Sequence, residues 1–144
     1  MKGVYRYSVD NLSVIIDRAI KNKIPMVALF PNTNIKLKDK SGSEALNENN
    51  LVSKAIVKIK KKYNNKIGIM CDVALDPYTT HGHDGILEKN EILNDKTIEI
   101  LIKQSLLQAQ MGCDVIAPSD MMDGRIGEIR KELDKNGYQN IQLL

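Results

Sequence analysis

The chain has 144 residues, of which 42% are hydrophobic and 27% charged, which fits one soluble domain of ordinary composition and excludes a disordered or fibrous protein. Its net charge of +3 is small, and a nucleic-acid footprint needs basic residues gathered on one face. The one dense run, Lys58, Lys60, Lys61 and Lys62, ends a predicted helix and there complements the helix dipole. With no Trp and one Phe, base stacking has little to work with. No apolar stretch is long enough to span a bilayer or act as a signal peptide, so the expectation is a cytoplasmic protein with no membrane partner. Cys71 and Cys113 sit in separate apolar runs without metal-site spacing, which reads as two buried free thiols.

In chain order, Ser8 or Asp10 can cap a first helix reaching about Asn22, with Leu12, Ile15, Ile16, Ala19 and Ile20 on one face. Ile24 to Phe30 is a short apolar run closed by Pro31, the pattern of a strand buried on both faces. A polar loop leads to a second amphipathic helix from about Asn49 to Tyr63, and Ile67 to Leu75 is the next strand. A long loop follows. Asn94 or Asp95 can then cap a third helix to Met111, stopped by Gly112. Cys113 to Ser119 is a third strand, a fourth helix lies between Asp123 and Asn136, with Asp123 as its expected cap, and the final Asn140 to Leu144 begins a fourth strand.

This alternation means a parallel α/β sheet. Periodicity alone leaves open a doubly wound sheet or part of a (β/α)8 barrel, and either binds ligands beyond the carboxyl ends of its strands. The residues just after each strand are therefore the ones that can do chemistry. After the second strand, CDVALDPYTTHGHDG gathers Asp72, Asp76, Asp84, His81 and His83, the residue types that supply general acids, bases and metal ligands. His81 and His83 would make a metal pair only with a third ligand; otherwise one orients the loop backbone and the other is solvated. A hard cation would prefer Asp76 and Asp84. After the third strand, APSDMMDGR puts Ser119 and Asp120 at the strand end, without the glycines of a nucleophile elbow. Met121 and Met122 are expected to pack beneath this loop. No glycine-rich nucleotide-binding motif is present.

DVALDPYTTHGHDGIL and VIAPSDMMDGRIGEIR resemble stretches of porphobilinogen synthase, also called 5-aminolevulinate dehydratase. MKGVYRYS is similar to that family's M-P-G-V-x-R-[YF]-S segment, with Lys2 in place of proline. The resemblance runs from end to end of the chain. It implies a partial (β/α)8 TIM barrel of four β-α units occupying 1–144 as one domain. It also implies an enzyme family of hydro-lyases that condenses two molecules of 5-aminolevulinate to porphobilinogen in haem biosynthesis, usually as a homo-octamer. The family's chemistry uses a Schiff-base lysine and a second lysine, in strands downstream of these motifs. The first belongs to a block S-Y-x-A-K-Y-A-S, expected immediately after the terminal IQLL.

By the same resemblance, Asp72 matches a strand-end aspartate near the reacting amine, Ser119 a serine lining the substrate pocket, and Asp120 lies beside it. Zinc-dependent members carry three cysteines where this chain has Ala74, Asp76 and Asp84. A thiolate zinc site cannot form from those residues, and the Asp pattern resembles the magnesium subclass. The expectation is a fragment inactive by itself; one half of a split enzyme and a non-catalytic remnant or α/β binding module are the alternatives.

Overall fold

A computed structural model describes residues 2–144. Met1, the first residue of the M-K-G-V motif, lies outside them. The elements are α1 (Leu12–Lys21), β1 (Met26–Leu29), α2 (Leu51–Tyr63), β2 (Gly68–Val73), a hairpin of β3 (Leu87–Glu88) and β4 (Glu91–Ile92), α3 (Asn94–Met111), β5 (Val115–Pro118), α4 (Arg125–Lys135) and β6 (Gln142–Leu143). The main sheet is parallel throughout, in the order β1-β2-β5-β6.

That order decides between the two architectures. A doubly wound sheet reverses its strand order so that helices cover both faces. Here the order follows the sequence without reversal, and right-handed crossovers then place every connecting helix on the same face. The result is a run of barrel-type β/α units. The helices bury Ile69, Cys71, Val73 and Ile116 beneath Ile16, Ile56, Ile59, Leu101, Ile129 and Leu133.

The opposite face has no covering layer. Met26 and Ala28 are exposed along β1, Met70 and Asp72 are half-buried along β2, and Gln142 is exposed in β6. Burial of the strands on both faces, expected from their unbroken apolar runs, is thus corrected to burial on one. Most residues of the second face are nonetheless apolar, as suits the inner face of a closed barrel, with Asp72 and Gln142 the polar exceptions.

Capping differs from helix to helix. Asn50 caps α2 by accepting a hydrogen bond from Ser53 N–H at 2.8 Å, and Gly112 ends α3 in the left-handed region at φ 104°. Neither Ser8 nor Asp10 caps α1: the Ser8 side chain makes no capping bond, and the Asp10 carboxylate accepts from Lys58 Nζ. Asp123 does not cap α4, whose N-cap is Gly124. The Asp123 N–H instead donates to Asn94 Oδ1 at 2.8 Å, tying that loop to the start of α3.

Candidate active site at the strand ends

Three loops leave the carboxyl ends of β1, β2 and β5, and the second and third build the site. Asp72 is on β2 with its side chain on the uncovered face, paired in register with Ala117 of β5. Ser119 follows β5 directly, and its N–H donates to the Val73 carbonyl at 3.2 Å, continuing the ladder one residue past the strand. The two residues adjoin across the β2–β5 ladder: burial pushes the Asp72 carboxyl above its ordinary value, the neighbouring Asp76 and Asp120 push the same way, and the nearby Ser119 side chain opposes them.

Asp120, next in sequence, turns the other way. Its carboxylate is fully buried, with Oδ1 accepting from Met122 N–H at 2.8 Å and Oδ2 lying 2.9 Å from Arg125 Nε. Arg125 also donates from its guanidinium to the Met122 carbonyl at 2.8 Å. Burial raises the Asp120 carboxyl, while the Met122 amide and the Arg125 charge oppose the rise. Met122 is buried, whereas Met121 is 72% exposed and lines a cavity. Only one of the two methionines therefore packs under the loop, because the tight turn held by Asp120 sends neighbouring side chains to opposite sides.

The loop after β2 is closed by its own polar groups. Asp39, from the loop after β1, accepts bonds from the amides and hydroxyls of Ser41 and Ser43, which hold its carboxyl down at about 2. Its backbone bridges to the second loop through Asp39 N–H to Tyr78 O and Thr80 N–H to Asp39 O. His81 Nδ1 accepts from His83 N–H at 3.2 Å, and His83 Nδ1 accepts from Gly85 N–H at 3.1 Å. Both imidazoles orient backbone rather than forming a pair aimed at one point.

A cavity of about 380 Å³ opens here, lined by Ala74, Asp76, Gly82, His83, Asp84, Ser119 and Met121. Asp76 is exposed, its carboxyl raised by burial first and by the Asp84 charge, with Lys38 opposing. Asp84 is half-buried; its Oδ1 makes no hydrogen bond and lies 2.7 Å from His83 Nδ1. Two carboxylates facing one cavity suit a hydrated hard cation, not a thiophilic one. Among the described residues no three His, Cys, Asp or Glu side chains converge as a complete ligand set. Cys71 and Cys113 are free and buried below the sheet, away from this cavity.

The candidate residues thus fall into groups. Asp72 and Ser119 adjoin at the strand ends, Asp76 and Asp84 line the cavity beside them, and Asp120 braces the loop from behind. Sequence reasoning passed over Arg125, Asp39, Gln104 and Gln108. Arg125 carried a usable signal, since a cation five residues after a loop aspartate can return to it.

Among the described residues no helix is long and apolar enough to cross a membrane. A sequence profile of the family described as "Delta-aminolevulinic acid dehydratase" matches residues 1–144. The delta-aminolevulinic acid dehydratase of Bradyrhizobium diazoefficiens is 53% identical over 144 residues, all of this chain and 40% of that relative. The chloroplastic enzyme 1 of Arabidopsis thaliana is 50% identical over 119 residues, covering 82% of this chain and 27% of the relative. The crystal structure of the porphobilinogen synthase of Toxoplasma gondii ME49, in complex with its reaction product porphobilinogen, superposes with a TM-score of 0.95 at 36% identity. The match covers 99% of this chain and 41% of that one. The chain therefore spans about two fifths of the length of these bacterial and structural relatives. The profile, the strand order and the strand-end motifs agree: the chain belongs to the delta-aminolevulinic acid dehydratase family.

Proposed function

We propose that residues 1–144 are one partial barrel domain of a porphobilinogen synthase. Completed by further β/α units, this domain takes part in condensing two molecules of 5-aminolevulinate. The observation that carries the reading is the placement of Asp72 and Ser119 at adjoining strand ends, with Ser119 lining a cavity beside Asp76 and Asp84. A raised carboxyl there holds or accepts a proton near neutrality more readily than an ordinary aspartate. The substrate is an amino ketone with a carboxylate. Asp72 and its acidic neighbours would attract its ammonium and receive protons, and the Ser119 hydroxyl would orient a carbonyl or carboxylate oxygen. Asp120 supports Ser119 through the loop rather than from the open face.

The uncovered strand face carries Met26, Ala28, Met70, Asp72, Ala117 and Gln142, and no lysine. Covalent catalysis through a Schiff base needs an amine, so this chain by itself makes no porphobilinogen. A companion segment that closes the barrel supplies the amine. For a metal, Asp76 and Asp84 would hold magnesium with water completing its shell; it would supply positive charge beside the acidic cavity. Zinc bound by thiolates does not fit Ala74, Asp76 and Asp84. The reading places the reaction in the cytoplasm, in a homo-oligomer of the completed barrel.

The test is reconstitution. The 144-residue protein is expected to give no porphobilinogen from 5-aminolevulinate. It is expected to give product when mixed with the complementary part of a homologous enzyme, and Asp72→Asn is expected to abolish that gain. Product from the chain by itself, or a complemented enzyme indifferent to Asp72→Asn, would defeat the proposal.

A further inference from the structure

Strand β2 runs past the end of β1, which leaves the Asp72 carbonyl, and that of Ala74 just beyond β2, without a ladder partner. The register pairs Met26 with Gly68 and Leu29 with Cys71, and Gly68 N–H donates to the Pro25 carbonyl at 2.8 Å. In a parallel ladder alternate residues face the same neighbour, so Gly68, Met70 and Asp72 direct their backbone groups towards β1. Carried forward, this register sets the nitrogen of residue 31 against the Asp72 carbonyl. Residue 31 is proline and has no N–H to give. The next carbonyl on that side, Ala74, lies beyond the end of β1.

Helix α3 supplies both missing donors. Gln108 Nε2 donates to the Asp72 carbonyl at 2.9 Å, and Gln104 Nε2 donates to the Ala74 carbonyl at 3.4 Å. The spacing has a geometric cause. Four residues of helix rise about 6 Å and two residues of strand about 6.6 Å. The helix of a β/α unit returns antiparallel to its strand, so an i, i+4 pair on one meets an i, i+2 pair on the other. Both glutamines are buried, and the Oε1 atom of each has no hydrogen-bond partner. A leucine at either position would avoid that desolvation cost, so packing by itself does not call for an amide.

We propose that Gln104 and Gln108 are positioning residues for Asp72. In place of the absent strand partner, they hold 72–74 extended beyond β1 and so fix the direction of the Asp72 carboxylate beside Ser119. The inference rests on the reading of Asp72 and Ser119 as the ligand-facing pair.

The test uses the full 144-residue chain carrying Gln108→Met or Gln104→Met, which keep the volume and remove the donor. Carbon-13 NMR follows the Asp72 carboxyl titration, nitrogen-15 NMR the Ser119 amide, and thermal melting the stability. In folded Gln108→Met the Asp72 titration is expected to fall towards the ordinary carboxylate range and the Ser119 amide to shift. Leu133→Ala, a core truncation on α4, is expected to lower the melting temperature and leave both signals in place. Unchanged Asp72 and Ser119 signals in folded Gln108→Met overturn the proposal.

Titration with 5-aminolevulinate is scored separately. If the wild-type chain binds, Gln108→Met is expected to weaken binding by about tenfold or more, as misplaced site groups do. If the wild-type chain does not bind, the functional reading loses support while the Asp72 titration still decides the positioning role. Should Gln108→Met fail to fold, Gln108→Leu, which removes the donor without adding charge, and Gln104→Met carry the same readout. Unchanged signals in both would overturn the proposal.

Discussion

Single aspartates in this chain titrate in opposite directions, and the sign follows from what each one touches. Asp39 is held at about 2 by hydroxyl and amide donors from Ser41 and Ser43. A depressed carboxyl contributes stability that is present above the ordinary value of 3.8 and is lost as pH falls towards about 2. Asp39→Ala should therefore cost about 1.5–3 kcal/mol at neutral pH, the range for bonds to a charged group. Urea denaturation at neutral and acid pH should show that deficit shrinking as the wild type itself loses the contribution. Asp72 behaves oppositely, because burial raises it. Its contribution is present below 3.8 and is lost as pH rises through the raised value. Asp72→Asn is expected to be at least as stable as wild type at neutral pH, so any loss of function in it is not a loss of fold. A denaturation midpoint clearly below wild type at that pH would contradict this account.

At the scale of elements, the loop between β5 and α4 contains one buried ion pair. The Asp120 side chain is 0% exposed and Arg125 is the cation beside it. Removing one partner of a buried pair leaves the other uncompensated, which typically costs roughly 3 kcal/mol or more. Arg125→Ala should lose about that much in denaturant unfolding. Arg125→Lys should recover part of it, since it keeps the charge without the planar second contact to Met122. If the two variants melt alike, the charge on Asp120 is not what Arg125 serves. The β3–β4 hairpin teaches a different lesson about elements. Its two-residue turn, Lys89 and Asn90, has positive φ at both positions, the geometry of a tight hairpin turn normally marked by glycine. A lysine in the first place hid the signal, and the segment read as loop.

At the scale of the molecule, a half-covered sheet with two free edges is the dominant fact. The backbone groups along the outer sides of β1 and β6 have no strand partner among the described residues, and the bare face carries Met26, Ala28 and Met70. Exposed edges and apolar faces associate. The isolated chain is expected to self-associate in sedimentation velocity at micromolar concentration. Met26→Lys, which places a charge on the bare face beside the free edge, should shift it towards monomer. A monomeric wild type would mean that the face is tolerated in water. The same substitution should impair complementation, because that face turns inward once the barrel closes.

Much of this was legible in the sequence, for a physical reason. The helix and strand periods and the apolar runs are local properties, and the strand-end motifs cluster because parallel β/α units bring every strand end to one side. Gly112 acted where its conformational preference said it would. Periodicity left a barrel-type sheet and a doubly wound one open; the family resemblance pointed to the barrel, and the strand order supplies the physical reason, which no local pattern encodes. Burial on one face needed the position of every helix at once. The retreat of Asp120 behind Ser119, the Arg125 clamp and the reach of Gln104 and Gln108 to the end of β2 join residues distant in sequence or turned by a loop. The sequence by itself determined the helices and the strands of the main sheet, the family, and the strand ends at which the candidate site residues gather. Only the tertiary structure decided which of those aspartates faces the open side and which is buried to hold it there, because that depends on contacts made after the chain has folded.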